Sequence, residues 1–272
     1  VKEYPSYYPK SGWAEQNDRD WWNALKEAIP VCIRKSGVKP EEIVGISCDG
    51  TSSTTIFLDK DGNSVRTPIL WMDVRASEEA QSISELAKDC DALKFYRSGV
   101  PAESLIPKCM WVKKNEPETG TRPLLFLNSQ AGSIGSYQGK RQQICLWRPS
   151  AGYRAIGLED VVEKFPADIL KTGTPIGKVD FEIAQELGLD PDTMVIEGTL
   201  DAVACMVGVG SVKPGGMALI GGTSSCLFGL STTDFHELGV NGTYPNLLYD
   251  GTSLVEGGQA SSGGILNWFR NN

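Results

Sequence analysis

The chain has 272 residues, of which 40% are hydrophobic and 22% charged, enough for one large domain or two smaller ones of ordinary globular composition. A net charge of −8 and a pI near 4.9 argue against a nucleic-acid or anionic-membrane partner. No apolar run reaches the ~20 residues that cross a bilayer.

The N-terminus, Val-Lys-Glu-Tyr-Pro, has no apolar signal core, so a cytoplasmic location is expected. Seven cysteines are scattered without a Cys-x-x-Cys pair, and His236 is the single histidine. Buried free thiols, such as Cys48, Cys205 and Cys226 in apolar runs, are expected rather than disulfides. A zinc site or a His-based triad is disfavoured. The missing initiator Met, and a last residue just after the apolar run at 265–269, read as cuts through a longer protein. Such a piece is expected to leave apolar surface uncovered and to be marginally stable or aggregation-prone.

In chain order, residues 6–12 read as an irregular segment or edge strand. A helix opens after Ala14, with Asn17 or Asp18 as its cap. It carries Trp21, Trp22, Leu25, Ala28, Ile29 and Ile33 at helical spacing and stops at Gly37, so Trp21 and Trp22 are assigned to the core. Strands are predicted over 43–48 and 54–59, the second leading into a hairpin tip at Asp61-Gly62-Asn63. Residues 73–86 read as a helix. Residues 118–153 sustain neither a helical nor a strand period. A divergent loop, a locally shifted reading frame and a junction all remain open for them. Beyond them come a short helix from Gly157 to a Pro166 stop, a helix over 180–187 ending at Gly188, and a buried strand over 193–198. A small-residue helix follows over 201–207, then strands over 217–221 and 226–230. Residues 254–259 lead into a final amphipathic segment. Strands alternating with helices predict an α/β fold.

Several polar groups stand where these elements end. Asp201 follows an apolar strand and opens a helix, a position that suits either a ligand-site carboxylate at the carboxyl end of a strand or a helix cap. Gly221, Gly222, Thr223, Ser224 and Ser225 join two apolar strands. Glycines let a backbone approach phosphate oxygens, which N–H groups and hydroxyls then bind; a plain tight hairpin is the alternative. Asp49 follows the strand over 43–48. Trp71, Asp73 and Arg75 follow an apolar run, and a surface ion pair is the alternative for the last two. Glu256, Gly258 and Gln259 fall in a Glu-Gly-Gly-Gln element that is either a cleft segment or a solvated loop. Lys108 lies in a Pro-Lys-Cys-Met-Trp run, where a solvated lysine is an equal reading.

Taken together, Gly-Thr-Leu-Asp-Ala (198–202), Gly-Gly-Thr-Ser-Ser (221–225), Asp-Gly-Thr (49–51) and Trp-x-Asp-x-Arg (71–75) resemble the FGGY carbohydrate kinases, especially ribulokinase-like and xylulokinase-like members. The resemblance runs over residues 10–115 and 154–272. It implies the two-domain actin-like, ribonuclease-H-like ATPase fold, incomplete here: residues 1–208 as the sugar-binding domain without its first hairpin, and 209–272 as the start of the nucleotide-binding domain. It implies transfer of a phosphoryl group from ATP, with Mg²⁺, to a hydroxyl of a ketopentose such as ribulose or xylulose, or of a related polyol. Asp201 would be the general base; Asp49, Trp71, Asp73 and Arg75 would hold sugar; Gly221, Gly222, Thr223, Ser224 and Ser225 would hold phosphate. Glu256, Gly258 and Gln259 would lie near the cleft, and metal ligands are not assigned. Thr51, Ser52 and Ser53 stand where xylulokinase-like members carry Gln-Met-His, which tilts the substrate towards ribulose. The partner is a small sugar, and a homodimer is compatible. This chain by itself is expected to be inactive, and a non-catalytic sugar-binding remnant of the same fold is the alternative.

Overall fold

The computed structural model describes residues 1–59, 63–97, 99–120, 125–128, 150–162, 170–222, 224–235, 237, 239–259 and 261–271. Thr223, His236, Pro166 and the Asp61-Gly62 part of the predicted hairpin tip lie outside them.

The first helix, α1 (Asp18–Ser36), begins where the Asn17 side chain accepts a hydrogen bond from the Arg19 amide. Asp18 and Asp20 in its first turn, with Arg34 and Lys35 in its last, match the helix dipole. Gly37 ends it at φ 72°, a left-handed conformation that glycine adopts without strain. In chain order there follow β1 (Gly45–Gly50), β2 (Thr55–Leu58), α2 (Ser77–Ala87), α3 (Leu105–Asn115), α4 (Pro117–Gly120) and β3 (Leu125–Asn128). Next are α5 (Ser150–Ala155), α6 (Glu159–Val162), β4 (Pro175–Lys178), α7 (Phe181–Leu187), β5 (Met194–Leu200) and α8 (Asp201–Gly208). The last are β6 (Met217–Gly221), β7 (Ser225–Ser231), β8 (Gly242–Pro245), β9 (Ser253–Gln259) and α9 (Gly263–Asn271).

The described strands form three sheets, ordered β1-β5-β4, β2-β3 and β6-β7-β9-β8. β1 runs parallel to β5, and every other pairing is antiparallel. Val195 of β5 packs with Ile183, Ala184 and Leu187 of α7, and Trp22, Leu25 and Ile29 of α1 close over that core. Phe57 and Ile69 pack with Ile83 of α2 and Ile106, Cys109 and Val112 of α3. Val203 and Met206 of α8 pack with Ala218, Phe228 and Leu254 of the four-stranded sheet. Helix α8 thus joins the first sheet, which precedes it, to the third, which follows.

Three expectations are corrected. Residues 118–153 do contain regular structure: β3 pairs with β2 from Thr55↔Asn128 to Leu58↔Leu125, and α5 starts at Ser150. A four-residue strand is too short to show a period, and the partner that orders it lies far away in sequence. The predicted helix from Asp73 starts only at Ser77, because Asp73 and Arg75 are held in a buried ion pair before it. Among the described residues six cysteines are in no disulfide, but only Cys109 of them is buried; Cys48 and Cys226 are half-buried and Cys205 is exposed, since it lies on the face of α8 turned from the core. Among the described residues no helix is long and apolar enough to cross a membrane.

Candidate active site

Parallel strands β1 and β5 end side by side, with Gly50 opposite Leu200. Their carboxyl ends therefore bring Asp49 and the start of α8 to one place, the usual ligand position of an open α/β sheet. The pairing jumps from Ser47↔Ile196 to Asp49↔Thr199, so Glu197 and Gly198 face Cys48 alone. Such a bulge bends a strand and re-aims the side chains beyond it. It requires glycine: a Cβ on Gly198 would lie 1.7 Å from the Cys48 carbonyl oxygen.

A cavity of about 570 Å³ opens there, lined by Asp49, Thr51, Trp71 and Asp201 together with Gln16, Trp21 and Met72. Three of the predicted site residues, Asp49, Trp71 and Asp201, thus meet. The Asp201 Oδ1 accepts a hydrogen bond from the Ala202 amide at 2.7 Å. Burial raises its pKa, the Ala202 bond opposes that, and the charge of Asp49 raises it further. A carboxylate at the head of a helix, half-buried and pushed towards neutrality, is suited to accept a proton.

The opposite wall is ordered by side chains that the sequence reading missed. Trp21 Nε1 donates to Gln16 Oε1 at 2.9 Å, and Gln16 Nε2 donates to Ser6 Oγ at 2.8 Å, which fixes the orientation of the amide. Trp21 is half-buried and lines the cavity as well as touching Ile56 and Leu58. Helical spacing identified its inward face but not the cleft beside it. The hydroxyls of Thr51 and Thr54 meet at 2.7 Å, and the Trp71 amide donates to Thr54 Oγ1 at 3.2 Å.

Asp73 and Arg75 do not line the cavity. Both side chains have 0% exposure and pair with each other at 2.7 Å. Asp73 Oδ2 also accepts from the Ala14 amide at 2.6 Å, and Arg75 Nη2 donates to Glu15 Oε1 at 2.8 Å. The Arg75 guanidinium stacks 3.9 Å from the Trp13 ring centre. The direct sugar contact expected of this pair is therefore not what the structure presents. The network fastens the segment carrying Gln16 to the turn carrying Trp71 through Arg75 Nε and Nη2, while the buried Nη1 has no hydrogen-bond partner; a buried ion pair holds such a link more firmly than an exposed one.

The described phosphate-loop candidates, Gly221, Gly222, Ser224 and Ser225, lie at the end of β6 and the start of β7. Gly221 pairs with Ser225, the Gly222 amide donates to Ser224 O, and Ser225 Oγ meets Ser262 Oγ at 2.7 Å. Nothing lies within 4 Å of where a Gly221 Cβ would stand, so that face is open to a ligand. The hairpin does not line the cavity, but β7 is within electrostatic reach of it: burial, then Glu256 and Asp201, push the Cys226 thiol up. Glu256 accepts from the Tyr244 hydroxyl at 2.6 Å and is raised by burial, against that bond. Gly258 and Gln259 are exposed on β9 beside Cys226 and Ser225. None of the three lines the cavity.

Two further ionisable side chains are buried, Glu197, which the sequence reading missed, and Lys108, which it left open. Glu197 is 1% exposed, neither of its carboxylate oxygens has a hydrogen-bond partner, and burial pushes its pKa up to about 8. The one sequence signal was an acid inside the apolar run 194–200. Lys108 is fully buried, not solvated: its Nζ donates to Ser53 O and Leu70 O at 2.9 and 2.8 Å.

Residues 1–130 match the family model described as the FGGY family of carbohydrate kinases, N-terminal domain. A ribulokinase of Staphylococcus aureus (strain MRSA252) is 28% identical over 285 aligned residues, covering 94% of this chain and 52% of the relative; the chain spans about half the length of the curated relatives it matches. Among solved structures, ligand-bound xylulose kinase from Lactobacillus acidophilus superposes with a TM-score of 0.81 at 22% identity, over 99% of this chain and 56% of that one. Glycerol kinase from Plasmodium falciparum with ADP gives 0.74 at 16%, over 98% and 57%. These structures share the fold, which is α/β of the actin-like, ribonuclease-H-like kind. Over residues 1–130, the chain is thus similar to the N-terminal domain of the FGGY family of carbohydrate kinases.

Proposed function

We propose that the protein transfers the γ-phosphoryl group of ATP to a hydroxyl of a ketopentose, ribulose or xylulose, bound in the cavity between the ends of β1 and β5. The observation that carries this reading is the placement of Asp201. It stands at the cavity, beside Asp49 and at the head of the helix that leads to the third sheet, with its pKa raised.

A sugar hydroxyl is a poor nucleophile near neutral pH, and a carboxylate within hydrogen-bond reach takes its proton as attack on phosphorus proceeds. Asp49 shares the polar floor and accepts sugar hydroxyls, while Trp21 and Trp71 offer flat walls to the carbon face. Asp73 and Arg75 position these groups from behind. Residues 1–208 carry the sugar and residues from 209 onward begin the nucleotide-binding part; the pairings of β6, β7, β8 and β9 among themselves support that division. The open face at Gly221 fits a phosphate group, with Gly221, Gly222, Thr223, Ser224 and Ser225 as the residues proposed to hold it. ATP supplies the phosphoryl group there. Mg²⁺ accompanies its phosphates; among the described residues no group of three or more His, Cys, Asp or Glu gathers to hold an ion of its own.

The test is ketopentose-dependent ADP formation by the full-length protein. Asp201→Asn should lower kcat by about 10²–10⁴-fold, with calorimetry still showing sugar binding. Unchanged turnover would remove Asp201 from the mechanism. Sugar binding without ADP formation even by the unmutated protein would instead support a sugar-binding protein of the same fold.

A further inference from the structure

Lys108 enters no step above, yet it is among the most deeply buried polar groups described. It projects from α3 into the space between two loops. One is residues 50–54, which carry Gly50 and Thr51 at the cavity. The other is residues 69–73, which carry Leu70, Trp71 and Met72. Its Nζ donates to one backbone carbonyl from each, Ser53 at 2.9 Å and Leu70 at 2.8 Å. Ser53 has φ 60°, a conformation that a non-glycine residue holds only when its surroundings fix it. The same loops are joined on their other side by the Trp71 amide on Thr54 Oγ1 and by the Thr55–Ile69 backbone bonds.

We propose that Lys108 is a positioning residue: it clamps the 50–54 loop to the 69–73 loop and so sets the distance between the Asp49–Thr51 floor of the cavity and its Trp71 wall. Nothing else at the site needs a lysine there. A neutral amine has two N–H donors, which matches the two carbonyls it meets. A permanently charged ammonium in that place bears a desolvation penalty. Burial lowers the pKa of Lys108 to about 7, opposed by the charges of Asp73 and Glu103, assisted by that of Arg75, and opposed slightly by Cys109. Opening the clamp would return the lysine to water and to its ordinary affinity for protons. A rise in pH above about 7 therefore favours the closed clamp, by the linkage between proton binding and conformation.

The role in sugar binding rests on the reading of the cavity as a ketopentose site; the clamp itself does not. The experiment combines calorimetric titration of the full-length protein with ribulose and xylulose and amide hydrogen exchange of Thr55, Ile69, Leu70 and Trp71, with the β6–β7 amides as internal reference. Lys108→Met should weaken ketopentose binding about tenfold or more and deprotect the four amides selectively. Lys108→Gln, which keeps N–H donors on a shorter stem, should recover part of both. Unchanged amide protection in Lys108→Met overturns the clamp, and lost protection with unchanged sugar affinity overturns its role in the site. If the unmutated protein binds neither ketose, the functional reading fails and the exchange data still decide the clamp. If neither variant folds, exchange on the unmutated protein decides: protection of the four amides, corrected for intrinsic rates, should rise between pH 7 and 9 relative to β6–β7, and a flat profile overturns the proposal.

Discussion

At the scale of single residues, Asp201 illustrates how a site works against its own fold. Its raised pKa means that the folded state holds the proton more tightly than the unfolded chain does. Stability contributed in this way is present at acid pH and lost as pH rises through the folded pKa. At neutral pH the ionised carboxylate is therefore a burden, and Asp201→Asn, which keeps an acceptor for the Ala202 amide, should raise the melting temperature while it lowers turnover. The acid limb of kcat/KM against pH should lie above the ordinary carboxylate range, because the base acts when ionised. Asp49→Asn removes a charge that raises Asp201, so this limb should move to lower pH; a limb that stays in place would separate the two carboxylates. Glu197 offers a parallel case without a catalytic role. With an unfolded value of 4.5 and a folded value of about 8, it contributes stability that declines between those pH values and levels off above them. Glu197→Gln should show a melting temperature that gains on the unmutated protein steadily from pH 5 to 8. Parallel curves would mean that Glu197 finds a partner for its charge.

At the scale of elements, the bulge between β1 and β5 decides where the site forms. Without the extra residue at Gly198 the strand would run in register, and the residues beyond it would change faces. Gly198→Ala places a methyl 1.7 Å from a backbone oxygen, and neither strand can yield without breaking its pairing. We expect a loss of several kcal/mol, as about 1–3 kcal/mol of overpacking adds to broken ladder bonds. Urea unfolding measures it, and a small change would show the bulge to be adaptable. The helix cap is a milder device. Asn17→Ala removes the one side-chain acceptor at the start of α1 and should cost about 1 kcal/mol, without effect on the cleft chemistry.

At the scale of the whole molecule, the described surface carries a large apolar share at its C-terminal end. Ile265, Leu266, Trp268 and Phe269 of α9 are all more than half exposed, as are Met217 and Leu219 of β6. Patches of this kind drive association in water. The isolated chain should bind an apolar dye and scatter light in a concentration-dependent way, and replacement of Leu266 and Phe269 by Glu should reduce both. A monomer that stays dye-free at high concentration would contradict this.

The sequence by itself determined the elements whose signals are local. The Asn17 cap, the Gly37 stop, the Asp180–Gly188 bracket around α7 and the apolar strands of the α/β pattern could be read from adjacent residues, because caps and periods act over one or two turns. Asp49, Trp71 and Asp201 were legible as a group only because each closes an element at its carboxyl end or stands in a motif with a resemblance to the kinase family. Tertiary structure alone decided the rest. Burial turned Asp73 and Arg75 from sugar contacts into a network behind the wall, and settled Lys108, which the sequence left open, as a buried side chain between two loops. It also brought Trp21 and Gln16 to the cavity and gave Leu125–Asn128 a strand partner some 70 positions away in the chain. None of these is visible locally, because the free energy of a charge, and the pairing of a short strand, depend on what the distant chain places around them.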